Sequence, residues 1–153
     1  MKKLLVIAHN PSPNTQRMVE AVLEGAGHED IENVNVTHIP PLQAVPEDVL
    51  NANAVIFGTT ENLGYMSGAL KDFFDRSYYS VIEQTTGMPY AFYVRAGKDG
   101  TATRRAIESI CKGLDWKLVR DPRICQGEWQ DDFLDQCREL GMAMAAGLDA
   151  QIF

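Results

Sequence analysis

Three stretches of this chain leave its fold little freedom. Leu4 to Ala8, Ala54 to Gly58 and Tyr90 to Ala96 are apolar runs of strand length with no polar alternation. A strand with one face in water alternates polar and apolar residues. A strand that does not alternate is covered on both faces, which is the signature of a parallel sheet with helices on either side. The segments between these runs have the helical period. Met18, Val19, Val22 and Leu23 predict a helix over 15–23, with Gly25 and Gly27 as stop signals. Leu70, Phe73, Phe74, Ser77 and Val81 mark one face of a second helix. Ile107, Ile110, Cys111 and Leu114 mark a third, and Phe133, Leu134, Cys137, Leu140 and Met144 a last one. Gly141, inside that last helix, is expected to allow close packing on the sheet.

The remaining elements are shorter. "NVNVTHI", 33–39, alternates and reads as a strand, and "WKLV" and "RICQ" form a last strand region. A single helical turn is expected over 46–50, where Pro46 suits the first helical position and Glu47 and Asp48 favour the positive helix end. Five buried strands separated by helices imply a three-layer α/β/α sandwich. Right-handed crossovers and a chain of 153 residues favour a five-stranded parallel sheet in the order 2-1-3-4-5, as one domain spanning 1–153. Ligands of such sheets bind beyond the carboxyl ends of the strands, beside the first strand.

Composition excludes several classes. The net charge of −7, from 21 acidic and 14 basic side chains, argues against a nucleic-acid surface. Three cysteines without C-x-x-C spacing indicate neither a disulfide framework nor a metal site. The apolar part of "MKKLLVIA" is shorter than the roughly 7 residues of a secretory core. No run reaches the ~18 residues of a membrane span. A cytoplasmic protein without membrane partners is expected.

The topology singles out three loops. "HNPSPNTQ", 9–16, leads into a helix N-terminus, where unpaired N–H groups favour an anion. Ser12, Asn14 and Thr15 add short donors, and plain helix capping explains the same residues equally well. "TTENLGYMSG", 59–68, is long for a strand-to-helix link and combines glycines, amides and an aromatic; Leu63, Tyr65 and Met66 are candidates for the face of a planar heterocycle. "RAGKDGT", 95–101, has Gly97 and Gly100 for close backbone approach, and Arg95 or Lys98 to offset negative charge. His9 is read as a loop residue. No side chain is assigned a catalytic role.

The stretch 51–76, "NANAVIFGTTENLGYMSGALKDFFDR", resembles the NAD(P)H-dependent FMN reductase family of the flavodoxin-like superfamily, which includes quinone reductases related to tryptophan-repressor-binding protein. The shared residues are Gly58, Gly64, Met66, Ser67, Gly68, Leu70, Lys71, Phe73, Asp75 and Arg76. The resemblance implies FMN, its phosphate at Ser12, Asn14, Thr15 and Gln16. It implies the flavin ring against Thr60, Glu61, Asn62, Leu63, Gly64, Tyr65 and Met66, and the pyrimidine edge at Ala96, Gly97 and Gly100. It also implies NAD(P)H as a transient donor and a quinone or flavin as acceptor. Two positions depart from the family pattern: Thr60 replaces the usual Pro, and Asn62 stands where an aromatic is common. The first loop lacks the reductases' Arg-bearing "GSxR". Glu61 brings a carboxylate that would disfavour an anionic reduced flavin.

The implied function is an FMN-dependent oxidoreductase. The alternative is a flavodoxin-like carrier that docks to redox proteins. The lack of a second aromatic in the two ring loops favours the open site of a reductase. A phosphorylation receiver is set aside because neither the first nor the third strand ends in Asp. Tyr78 and Tyr79 are candidate contacts for a second copy, or simply partly exposed helix residues.

Overall fold

The computed structural model describes residues 1–153. The first strand, β1 (Lys2–Ala8), is followed by α1 (Pro13–Ala26), β2 (Val34–Ile39) and the short α2 (Pro46–Leu50). Next come β3 (Ala54–Asn62), β4 (Tyr65–Met66), α3 (Gly68–Val81), β5 (Pro89–Ala96) and α4 (Thr101–Gly113). The chain ends with β6 (Lys117–Leu118), β7 (Arg123–Gln126) and α5 (Asp132–Asp149). No helix is long and apolar enough to cross a membrane.

The parallel ladder runs β2-β1-β3-β5, and both β6 and β7 pair with β5 beyond it. This is the expected flavodoxin-like order 2-1-3-4-5, with two differences in strand count. The fifth position is occupied by two short strands, because Pro122 has no N–H for the ladder and interrupts it. The other extra strand, β4, folds back antiparallel on the end of β3, pairing Glu61 with Met66 and Asn62 with Tyr65. The segment 59–62 is therefore strand, where a loop was expected. Its two β-branched threonines suit the extension, and Thr60 pairs with Arg95 of β5.

Alternate residues of each central strand feed two cores. Leu5, Ile7, Val55, Phe57, Tyr90 and Phe92 join α3 and α4 through Leu70, Phe73, Phe74 and Ile107, and Trp116, just before β6, packs into the same core. Leu4, Val6, Ile56, Ala91 and Tyr93 join α1 and α5 through Met18, Val22, Cys137, Leu140 and Met144. Each fully buried large aliphatic or aromatic side chain contributes roughly 1.5–3 kcal/mol, so the sheet is held from both sides.

Helices α1 and α5 meet through glycine. A Cβ on Gly141 would lie 2.1 Å from the Val22 carbonyl oxygen, and one on Gly25 would lie 1.9 Å from that of Arg138. This corrects two expectations. Gly141 packs on α1, not on the sheet. Gly25 does not stop α1; it lies inside the helix as a contact residue, and Gly27 caps the end by donating to the Leu23 carbonyl at 2.9 Å. Gly141→Ala tests the contact. Alanine is about 1 kcal/mol better in a helix interior, yet a Cβ driven into a backbone carbonyl forces the helices apart at a cost of roughly 1–3 kcal/mol or more. The variant is expected to lose about 2 kcal/mol of stability, read as a lower urea midpoint at unchanged slope; a stabilised variant would contradict the contact.

Candidate functional site

The carboxyl ends of β1, β3 and β5 lie side by side, with Ala8 paired to Gly58 and Gly58 to Tyr93. The Tyr93 ring crosses Gly58 so closely that a Cβ there would lie 2.3 Å from Cζ. Only glycine fits at this position. The Tyr93 hydroxyl is buried without a hydrogen-bond partner, and burial raises its pKa well above the usual phenol value. The three candidate loops leave the sheet from this row.

In the first loop Ser12 is extended, at φ −137°, and caps α1. Its Oγ accepts from the Thr15 N–H at 3.2 Å, and Thr15 Oγ1 accepts from the Ser12 N–H at 2.9 Å. Pro13 has no N–H, and the Gln16 N–H is bonded to the Ser12 carbonyl at 2.9 Å. Among the first helical amides this leaves the Asn14 N–H without an acceptor in the chain. Thr15 is buried, so its hydroxyl serves the cap. The Gln16 side chain bonds Asn10 and, at 3.2 Å, Glu20. His9, partly desolvated, has a lowered pKa and is neutral near pH 7.

The second loop is a tight hairpin. Leu63 and Gly64 both have positive φ, +53° and +76°, as a two-residue turn of the primed type requires. Leu63 is fully exposed and Tyr65 is 39% exposed, whereas Met66 is sealed in the core. Thr60 Oγ1 donates to Asn62 Oδ1 at 2.9 Å. At the hairpin base, Thr59 Oγ1 accepts from the Ser67 N–H at 2.9 Å, and Ser67 Oγ caps α3 through the Leu70 N–H at 3.2 Å.

The third loop is tied to the second. Glu61 Oε1 accepts from the Lys98 N–H at 2.8 Å. The exposed Gly97 N–H has no acceptor in the chain, and a Cβ on Gly97 would meet nothing within 4 Å. Ala96 is buried and offers backbone alone. Gly100 turns left-handed, at φ +69°, to start α4. Asp99 caps that turn through the Thr101 N–H at 3.0 Å, which holds its carboxyl below the usual range.

Arg95, one of the two cations expected in this loop, turns away from it. Its Nη1 donates to the carbonyls of Ala96 and Cys125 at 3.1 and 3.0 Å, and its guanidinium lies 5.0 Å from the Phe133 ring and 5.8 Å from that of Trp129. Arg17, from the second turn of α1, reaches the same indole at 5.4 Å. Sequence reasoning missed Arg17 and Trp129. Their one signal was an aromatic directly after the last strand, where the topology places ligand loops. No cluster of three or more metal-binding side chains forms anywhere in the chain. A cavity of about 410 Å³ opens at the amino edge of the sheet, near Lys2, Asn33, Asn53 and Asp149, on the side opposite the strand ends that the fold uses.

The sequence model of the NADPH-dependent FMN reductases matches residues 2–129. The chain belongs to this family. Among curated relatives, a flavodoxin of Aquifex aeolicus is 39% identical over 49% of the chain and 40% of its own length. An NAD(P)H dehydrogenase (quinone) of Acidithiobacillus ferrooxidans is 28% identical over 50% of the chain and 48% of its own length. The matched part is thus less than half the length of either relative. A flavodoxin from the domain Archaea superposes with a TM-score of 0.78 at 22% identity, covering 95% of this chain and 98% of that one. A WrbA-like flavodoxin protein from Agrobacterium tumefaciens gives 0.73 at 21%, covering 99% of each. These likenesses establish the flavodoxin-like fold.

This reductase-family hairpin carries a leucine where Asn or Gly is the natural choice. Left-handed backbone costs a branched residue roughly 1–2 kcal/mol, and Asn-Gly is the favoured pair for this turn. Leu63→Asn is expected to raise the denaturation midpoint of the ligand-free protein by about 1 kcal/mol in stability. A loss of stability would mean that Leu63 makes contacts the fold needs.

Proposed function

We propose that the chain binds FMN across the three loops and acts as an NAD(P)H-dependent oxidoreductase, passing electrons to a quinone or flavin acceptor. The observation that carries this reading is the family match over 2–129 together with three donor-bearing loops side by side at the carboxyl edge. Two features of the edge fit the group. Unpaired N–H groups at Asn14 and Gly97 suit a ligand with a phosphate and a heterocyclic edge, and the open space at Gly97 admits close approach.

On this reading Ser12, Asn14 and Gln16 hold the phosphate, and Thr15, whose N–H and hydroxyl are taken up by the cap, keeps the loop in shape. Residues 60–65 flank the ring, with Tyr65 and Leu63 as its apolar contacts, and Met66, sealed in the core, anchors the hairpin beneath them. Ala96, Gly97 and Gly100 face the pyrimidine edge. The bound flavin supplies hydride acceptance and electron transfer; the chain supplies position and field. Glu61 does two jobs. Its bond to the Lys98 N–H orients the third loop, and its charge lies beside the ring loops. Tyr65 is the one aromatic exposed on the second loop, and the third has none, so one face of the ring is left free for a nicotinamide. The same reading takes 1–153 as one cytoplasmic domain that meets small molecules or a redox protein.

Titration of the purified protein with FMN is expected to show saturable quenching of flavin fluorescence, and NAD(P)H should then be oxidised in the presence of a quinone. Saturable FMN binding without NAD(P)H oxidation by any acceptor would assign the chain to the electron carriers. No FMN binding at all would sink the reading.

A further inference from the structure

We propose that Arg17 and Arg95, gathered on the ring of Trp129, form a receptor for a phosphomonoester dianion at the border of the first loop. The inference rests on the nucleotide reading of the carboxyl edge and assigns the counter-charge to residues outside the loop itself.

The first argument concerns supply. The reciprocal Ser12–Thr15 cap consumes the amides of Ser12 and Thr15, Pro13 has none, and Gln16 is bonded to Ser12. The loop contributes hydroxyls, an amide side chain and one free helical N–H, none of which carries charge. A guanidinium beside the loop would add the formal charge that these groups lack. Arg17 is joined to the loop directly, since its Nη1 donates to Asn14 Oδ1 at 3.3 Å.

The second argument concerns cost. Two guanidiniums within 6 Å of one indole centroid repel each other, and the fold does little to neutralise them. Arg95 forms no ion pair; its hydrogen bonds go to the neutral carbonyls of Ala96 and Cys125. Arg17 has one weak partner, Asp131 at 3.8 Å, whose side chain is 85% exposed. Asp131 also accepts from Trp129 Nε1 at 3.2 Å and so steadies the ring. By comparison Arg76 pairs with Asp72 at 2.7 Å, Arg104 with Glu108 at 3.0 Å and Arg138 with Asp135 at 2.8 Å, while Arg105 and Arg120, like Arg95, have no carboxylate partner. Concentrated, poorly compensated positive charge beside a loop of short donors is what a phosphate ester needs, and guanidiniums match its oxygens in pairs.

Two ligands of the proposed reaction carry such a group: the 5′-phosphate of FMN and the 2′-phosphate that distinguishes NADPH from NADH. Binding titrations separate them. Arg17→Ala is the informative variant, because the side chain is 47% exposed and holds no core contact, whereas Arg95 bridges two strands. FMN, riboflavin, NADPH and NADH are titrated against wild type, Arg17→Ala and Arg17→Lys, with unfolding curves recorded for each. The variant is expected to bind FMN about ten-fold or more weakly, the loss of one charge-assisted contact, with riboflavin affinity unchanged. Arg17→Lys should recover part of the loss, and the dependence of FMN affinity on salt should flatten in Arg17→Ala. A loss confined to NADPH over NADH would also support the receptor and assign it to the donor. Unchanged affinity for both phosphorylated ligands overturns the proposal, as does an equal loss for FMN and riboflavin. Failure of the wild-type protein to bind FMN removes the functional reading instead, and the NADPH and NADH arm then decides the receptor alone.

Discussion

A parallel sheet with helices on both faces has no face to spare for water, and that constraint shapes the rest of this molecule. Because Leu4, Val6 and Ile56 enter one core while Leu5, Ile7, Val55 and Phe57 enter the other, β1 and β3 cannot slide by one residue without exchanging their two sets of contacts. The register of the strand ends is therefore fixed deep in the protein. Ala8, Gly58 and Tyr93 are brought level there, and the loops inherit their starting points from them. Chemistry is left to the loops because the strands have none to offer.

The residues that carry the family resemblance act largely as scaffolding. Phe73 and Leu70 are core residues of α3. Ser67 caps that helix and, through its N–H, holds the base of the hairpin on Thr59. Arg76 pairs with Asp72 and donates to the carbonyls of Pro41 and Ala44 at 2.8 Å each, fastening the connector before α2 to α3. Lys71 is tied to Asp75 one turn later. A motif can thus identify a family while its members hold the site in place without touching a ligand.

The strands, the helix faces and the sheet order were legible because burial imposes periodicity, and periodicity survives in sequence. Leu70, Phe73, Phe74, Ser77 and Val81 are all buried, and α2 begins at Pro46 and ends at Leu50 as its composition implies. What escaped depends on partners distant in sequence. Nothing local reveals that Gly141 faces Val22, or that Gly25 lies in a helix contact instead of ending the helix. The 59–62 segment looked like loop because its polar residues hide a strand that is held by its neighbours, Thr59 and Thr60 by β5 and Glu61 and Asn62 by β4. The donors of the first loop were legible as residue types. Their mutual satisfaction as a cap was one of two readings, and only geometry separates them. Arg17 and Trp129 sit 112 positions apart in the chain, and their meeting follows from α1 and α5 sharing one face of the sheet.

The interruption at Pro122 has a consequence for how copies of this protein behave in a crowd. An outermost strand exposes a row of unused amides and carbonyls that another chain can extend, the first step of edge-to-edge aggregation. Here that border is cut into β6 and β7, two and four residues long. Neither offers a template of useful length, so the flank beyond β5 resists recruitment into a longer, intermolecular ribbon.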